Sequence, residues 1–522
     1  MKIESYKYQR FIPGVGESRW ADSAELKSAD TIRQIGVTEE SCLGCGMPVI
    51  SDGKMAYIDD SDTHTMVFGA TGSKKTRLFG MPMINMFALA GESFIATDPK
   101  GELFQKTSGL VAAKGYKTIT LDFRDLANSS YWNPLELPYV LYHGGRTEEA
   151  VELLNDFLGT LAAPQRKGAK DPYWIELGSS MAVAFMLFFI ETSSKEEANI
   201  YNFANFFAAK SSPESTAELF RYVAEGSVAA VNLSGILNNK DAKMTFGNVA
   251  AGVSNMVNPF VIRKSLCQIL SKSSFDVRDI GNTKTAIYII VPDEKTTLHF
   301  LVTAFIKQVY EALIGEAQKQ ESKKLPVRLN FLLDEFCNIP TIPDMASMIS
   351  AARSRNMRFY LMAQGMFQLK QKYGDDANTI RGNCDNWVFL ASREYELLKE
   401  ISDLCGETTY KDLDGGIKTR PLISISELQR LKKDTGEALI LHGRQYPFMA
   451  TLPDIDEYSF ITYPPAVTKQ KRQLPKIVPY DIENVISEIK NKKRPITFSA
   501  EVFGKKKYYE KNNSPYGDAF DW

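Results

Sequence analysis

Apolar residues recur along this chain in two rhythms. The first is a series of short runs: TMVFG (Thr65–Gly69), SFIAT (Ser93–Thr97), TITLDF (Thr118–Phe123), AIYIIV (Ala286–Val291), LNFLLDE (Leu329–Glu335), RFYLMA (Arg358–Ala363), NWVFLA (Asn386–Ala391) and EALILHG (Glu437–Gly443). They are short, rich in β-branched and aromatic residues, and alternate with helical stretches, which predicts strands of an α/β fold. Several are unbroken apolar runs, as strands buried on both faces require, so the predicted sheet is mostly parallel and covered by helices.

Between Arg146 and Phe275 the alternation stops. In RTEEAVELLNDFLGTLA, residues Ala150, Leu153, Leu154, Phe157 and Leu161 line one helical face, and the segments that follow keep the helical rhythm. The pattern therefore predicts a leading segment (1–63), an α/β domain in two pieces (64–145 and 276–463), an all-helical domain inserted between them (146–275) and a tail (464–522). The tail carries 12 Lys+Arg against 7 Asp+Glu, with prolines at Pro475, Pro479, Pro495 and Pro515. One short helix is expected over YDIENVISEIKNKK, and the rest reads as a solvated basic arm.

Composition narrows the class. At 522 residues, with 44% hydrophobic and 24% charged residues, the chain is expected to be globular and to hold more than one core. The net charge of −1 gives no global basic excess, so any polyanion would have to meet a local patch. The longest apolar run, MAVAFMLFFI (Met181–Ile190), is ten residues. A membrane span takes about 20, so a buried helix is expected there. The start, MKIESYKYQRF, lacks the apolar centre of a signal peptide, and a cytoplasmic location is expected. Cys42 and Cys45 form a C-x-x-C without a second pair, which reads as a loop rather than a zinc site.

Three motifs carry chemistry. After the strand Thr65–Gly69 comes GATGSKKTR, close to the phosphate-binding pattern G-x-x-x-x-G-K-[ST], opening a helix whose N-terminus favours an anion. The candidate cradle is Gly69, Ala70, Thr71, Gly72, Ser73, Lys74, Lys75, Thr76 and Arg77. Lys75 would reach the outer phosphates of ATP, and the Thr76 hydroxyl would hold Mg²⁺. The second motif is LNFLLDEF, where Asp334 and Glu335 end a buried strand. Asp334 would be the other Mg²⁺ ligand and Glu335 the general base for the attacking water. The third is AARSRNMRFYLMAQG, in which Arg353 and Arg355 end a helix and a strand runs on to Gln364. Spacing alone assigns the third no role, since helix C-termini favour cations anyway.

These motifs lie among others in a fixed order. GESRWAD (Gly16–Asp22), TDPKGEL (Thr97–Leu103), WNPLE (Trp132–Glu136), DPYWIELG (Asp171–Gly178), LLDEFCNIPTIPD (Leu332–Asp344), GNCDNWVFL (Gly382–Leu390), LISISELQRL (Leu422–Leu431) and GEALILHGRQYPF (Gly436–Phe448) run over most of the chain. In this the chain resembles the type IV secretion coupling proteins of conjugation and protein secretion. The resemblance implies an α/β, RecA-type P-loop NTPase with a mostly parallel sheet and an inserted all-α domain. It implies a homo-hexamer around a channel with ATP between neighbours, Arg353 reaching the adjacent subunit's nucleotide and Gln364 ending the fourth core strand. It also implies a relaxase–single-stranded DNA complex as substrate, type IV secretion channel components as partners, and a site at the inner face of the cell membrane. Asp98 and Lys100 match the family's DPKGE turn, to which the residues themselves assign no role.

Two departures stand out. The family's usual N-terminal membrane anchor has no counterpart here, so contact with the membrane is expected only through partners. Lys74 occupies the place of the second loop glycine. If φ there is positive, an L-residue costs about 1–2 kcal/mol, a difference worth about tenfold in affinity. Three readings stay open: an ATP-hydrolysing coupling protein for DNA, a non-hydrolysing receptor with a degenerate loop, and a coupling ATPase that exports protein effectors.

Overall fold

A computed structural model of the protein describes residues 17–166, 173–223, 226–237, 242–292, 294, 296–411, 416–460, 464–469 and 471–491. The first residues of the leading segment, Asp171 and Pro172 of DPYWIELG, and the last part of the tail lie outside the described residues.

Fourteen strands are formed among the described residues. They are β1 (Ile32–Gly36), β2 (Met47–Ser51), β3 (Met55–Asp59), β4 (Thr65–Gly69), β5 (Ser93–Thr97), β6 (Lys117–Asp122), β7 (Thr285–Ile290), β8 (Leu329–Leu333), β9 (Met357–Ala363), β10 (Asn386–Ala391), β11 (Glu407–Lys411), β12 (Ile417–Pro421), β13 (Glu437–His442) and β14 (Phe448–Thr451). The main sheet runs β14-β13-β10-β4-β9-β8-β5-β7-β6. From β10 to β6 every neighbouring pair is parallel, and β13 and β14 add an antiparallel edge. The α/β class with a mostly parallel sheet read from the sequence is therefore the observed one. Its eight expected runs are eight of these nine strands, and β14 is the ninth. Two small antiparallel sheets, β1-β3-β2 and β11-β12, were not anticipated.

The chain divides into two compact units. The first, Met1–Arg124, Val277–Val302 and Ala312–Lys469, holds the main sheet. β4, β5, β7, β8 and β9 are buried along their whole length, as expected for strands covered on both faces. Aromatic rings tie these elements together: Phe94 of β5 meets Tyr288 of β7 edge-on at 5.4 Å, and Phe87 of the helix Met81–Ala90 packs on Tyr360 of β9 at 5.6 Å.

The second unit, Asp125–Asp276, Thr303–Glu311 and Gln470–Trp522, is helical in its described residues. Its start differs from the boundary at 146 drawn from the sequence, because the helix Glu136–His143 packs on the helix Thr147–Arg166 and belongs with it. The helix Tyr173–Thr192 has a mean hydropathy of 1.6 and is 20 residues long, enough by length and composition to cross a membrane. Its stretch Met181–Ile190 is nevertheless buried throughout, against rings such as Phe207, which lies 4.9 Å from Phe185. The tail also departs from a loose arm. Tyr480 packs edge-on against Phe189 at 4.9 Å and bonds Thr192 through its hydroxyl at 2.6 Å. The helix Ile482–Lys490 then follows, capped by the Asp481 side chain.

Candidate functional site

Residues that end three adjacent or near-adjacent strands meet at one edge of the main sheet. β4 finishes at Gly69, and the loop that follows is fixed to β10 by the Ala70 N–H donating to the Ala391 carbonyl at 2.7 Å. A Cβ on Gly69 would stand 2.3 Å from Ser73 Oγ and 2.8 Å from Lys75 Cγ, so the loop closes this tightly only over glycine. Gly72 has φ 78° and Lys74 φ 63°. The condition posed by the sequence is thus met: the lysine stands in left-handed backbone where glycine is the unstrained residue. Its ammonium makes no hydrogen bond or ion pair among the described residues.

Lys75 is only 5% exposed, donates to the Gly69 carbonyl at 2.5 Å and lies 3.7 Å from Glu335 Oε1. Thr76 begins a π-helical turn, Thr76–Gly80, that leads into the helix Met81–Ala90. Single π turns of this kind are frequent at functional sites. The Thr76 hydroxyl donates to Asp334 Oδ2 at 2.8 Å. Arg77 is turned elsewhere. Its guanidinium is bound by Asp454, and by Asp456 at 2.6 Å, so its side chain clamps a distant segment instead of joining the cradle.

Asp334 and Glu335 follow directly on β8. Burial pushes the Asp334 carboxyl up to about 6, with the Thr76 hydroxyl opposing that shift. Glu335 has φ 53°. Its Oε2 accepts from Gln364 Nε2 at 2.9 Å and from Asn338 Nδ2 at 3.0 Å. Gln364 reaches it because β9 lies between β4 and β8 and ends beside both. Asn338 was missed by the sequence reading; its only signal was its place three residues after Glu335. Asp98, raised to about 6 chiefly by burial, accepts from the Phe104 N–H at 2.8 Å and so satisfies a first-turn amide of the helix Glu102–Ala113. Lys100 of the same turn is exposed.

Arg353 is not part of this cluster. It lies in the turn Arg353–Arg355 that precedes β9, at the edge where the parallel strands begin, opposite the edge where β4 and β8 end. Its Nη1 donates to Asp385 Oδ2 at 2.9 Å.

The donor set fits Mg²⁺ and a nucleotide. Mg²⁺ takes hard oxygens, one or two from the protein and the rest from water and phosphate. Thr76 Oγ1 and Asp334 Oδ2 are two such oxygens already side by side. In the loop, Ser73 Oγ is buried without a hydrogen-bond partner among the described residues, a polar atom that a phosphate oxygen would satisfy.

A parallel sheet in which the phosphate-loop strand and the acidic strand are separated by one further strand, itself ending in a glutamine at the site, defines a RecA-type P-loop NTPase. Comparison with known proteins is more specific. The family model described as Type IV secretory system Conjugative DNA transfer matches residues 19–439, and the chain belongs to that family of coupling proteins. Protein VirD4 of Rhizobium radiobacter is 24% identical over 492 residues, 89% of this chain and 67% of that one. Conjugal transfer protein TraG of Escherichia coli is 22% identical over 427 residues, 76% of this chain and 64% of that one. The chain spans 57% of the length of Protein VirD4 of Agrobacterium fabrum. Among solved structures, the unbound conjugative coupling protein TrwBdeltaN70 has a TM-score of 0.57 at 16% identity, covering 89% of this chain and 96% of that one. TrwB in complex with the ATP analogue ADPNP gives 0.57 at 16%, with 89% and 98% covered. These likenesses show the fold.

Proposed function

We propose that the protein is an Mg-ATP-driven coupling ATPase of conjugation. It recruits a relaxase–single-stranded DNA complex and delivers it to a type IV secretion channel, working as a homo-hexamer on the cytoplasmic face of the cell membrane. The observation that carries this reading is the meeting of Thr76 with Asp334, across 258 residues of sequence, beside Glu335 and Gln364. That TrwB was captured with ADPNP, and with ADP and Mg²⁺, supports it.

In this reading the loop amides and Lys75 bind the phosphates, while Thr76 and Asp334 hold Mg²⁺. The ion, when bound, neutralises charge on the phosphate oxygens. Glu335 takes the proton of the attacking water, and Gln364 holds the Glu335 carboxylate in place. Arg353 stabilises charge at the neighbouring subunit's nucleotide, which accounts for its position away from its own chain's cluster.

The test is hydrolysis of Mg-ATP by the full chain, with and without single-stranded DNA, comparing wild type and Glu335→Gln. Turnover stimulated by DNA in the wild type, and lost in Glu335→Gln with ATP still bound, is the expected result. A wild type that hydrolyses nothing refutes the motor. The lysine side chain at position 74, where the loop pattern has glycine, motivates the second reading, a receptor with a degenerate loop, and calorimetry with ATP separates the two: a receptor gives no heat until Lys74→Gly restores it.

A further inference from the structure

His64 stands one residue ahead of β4, at the edge where the parallel strands begin, and is fully buried. Both ring nitrogens are engaged. The Phe359 N–H, on adjacent β9, donates to Nδ1 at 3.0 Å. Nδ1 therefore carries no proton, and Nε2–H donates to the Ile349 carbonyl at 2.8 Å. Ile349 lies in the last turn of the helix Met345–Ala352, where backbone carbonyls have no partner within the helix. The imidazole supplies that partner from the side of the phosphate-loop strand.

The chain leaves this helix through the turn Arg353–Arg355 and returns to β9 through Asn356, whose φ is 64°. Arg353 is held a second time by Asp385, one residue before β10. The first residue of β10, Asn386, donates its N–H to the His64 carbonyl at 3.3 Å. The arginine's turn is thus tied at two points to the starts of β4, β9 and β10, which lie side by side. A neutral ring suits the place. Burial holds the imidazole down at about 4, and the nearby Arg353 and Arg358 push the same way against Asp62. An imidazolium would lose the acceptor that Phe359 uses.

We infer that His64 is a positioning residue for Arg353. Through the Ile349 carbonyl it fixes the helix end from which Arg353 reaches the neighbouring subunit's nucleotide, and it ties that end to the strand carrying its own chain's phosphate loop. One strand, β4, then links the two: His64 precedes it and Gly69 ends it. The inference rests on the reading of the protein as an ATPase with Arg353 acting between subunits.

The experiment is steady-state Mg-ATP hydrolysis by the assembled full chain. His64→Asn leaves an acceptor near the place of Nδ1 but is too short to reach Ile349, whereas His64→Gln puts an amide N–H where Nε2 stands. For His64→Asn, kcat falls about tenfold, as loss of one well-aligned hydrogen bond implies, while KM and binding of a non-hydrolysable ATP analogue stay at wild-type values. His64→Gln recovers most of the rate. Asp385→Ala removes the second tether at a part-exposed site and gives the same pattern if His64→Asn fails to fold.

Mixing identifies the defect as one between subunits. Adding inactive Glu335→Gln subunits, whose Arg353 remains well placed, raises the rate per His64→Asn subunit. A merely structural defect would not be rescued in this way. If the wild type hydrolyses ATP while His64→Asn and Asp385→Ala both turn over at its kcat, or if mixing brings no rise, the inference is overturned and the ATPase reading stands. A wild type that does not hydrolyse ATP removes both.

Discussion

Lys74→Gly isolates the one residue of the phosphate loop that departs from the family pattern. With φ at 63°, the lysine occupies backbone that costs an L-residue about 1–2 kcal/mol. Glycine removes that strain but gives the unfolded chain more freedom, a loss of roughly 0.5–1 kcal/mol. The net expectation is a stabilisation of about 0.5–1 kcal/mol, read as a higher denaturation midpoint at an unchanged m-value. A substitution series separates backbone from side chain. Asn, which tolerates left-handed backbone, should fall between Gly and Lys. Lys74→Ala keeps the Cβ and should gain nothing. Because the strain belongs to the loop with or without nucleotide, ATP affinity should change by less than about threefold, a span of roughly 0.65 kcal/mol. If the midpoint of Lys74→Gly does not rise above that of Lys74→Ala, backbone strain at this position is refuted. If ATP binds more than tenfold tighter to Lys74→Gly, the lysine side chain itself obstructs the cradle, and the receptor reading gains at the expense of the motor.

Two further outcomes follow from the geometry. Gly69→Ala drives a Cβ to 2.3 Å from Ser73 Oγ, so ATP binding measured by calorimetry should be lost while the far-UV circular dichroism spectrum is retained; wild-type affinity would contradict the loop geometry. The buried His64, held neutral down to about 4, contributes stability that is present above its unfolded value near 6.5 and is lost as pH falls from there toward 4. Denaturant unfolding at pH 7 and pH 4.5 should therefore show a smaller pH-dependent loss in His64→Gln than in wild type, by about 2–3 kcal/mol, and equal losses would exclude a buried neutral imidazole.

Much of the fold was legible because the main-sheet strands are buried on both faces and so read as apolar runs. Of the strands that escaped, β1 to β3 are partly exposed or interrupted by Pro48, although the Asp52-Gly53 turn between β2 and β3 was a usable hairpin signal. Lys75, Thr76, Asp334 and Glu335 were named from local motifs and Gln364 from the family resemblance, and they meet in space. Arg77 was assigned to the cradle by adjacency alone. Its partners Asp454 and Asp456 lie more than 370 residues away, and no local pattern points to them. The same limit hid His64, Asp385 and the packed portion of the tail. His64 and Asp385 act through groups brought near only by the order of strands in the sheet, and the tail through a helix 288 residues earlier in the chain.

That strand order also bears on how the protein is made. β4 lies between β9 and β10, so the strand carrying the phosphate loop has no hydrogen-bonded neighbour until about 290 further residues have been synthesised. At about 5–20 residues per second that is a delay on the order of tens of seconds. β4 is buried along its whole length in the finished sheet and must be kept from mispairing for that time, the hazard that long-range parallel pairing carries in general. Most of the helical unit, Asp125–Asp276 and Thr303–Glu311, is made during the delay, and its C-terminal segment only after the sheet is complete. Nucleotide binding is then a late event in biogenesis, and a ribosome stalled between Glu311 and β9 would release a chain with the helical unit lacking its C-terminal segment and with no working phosphate site.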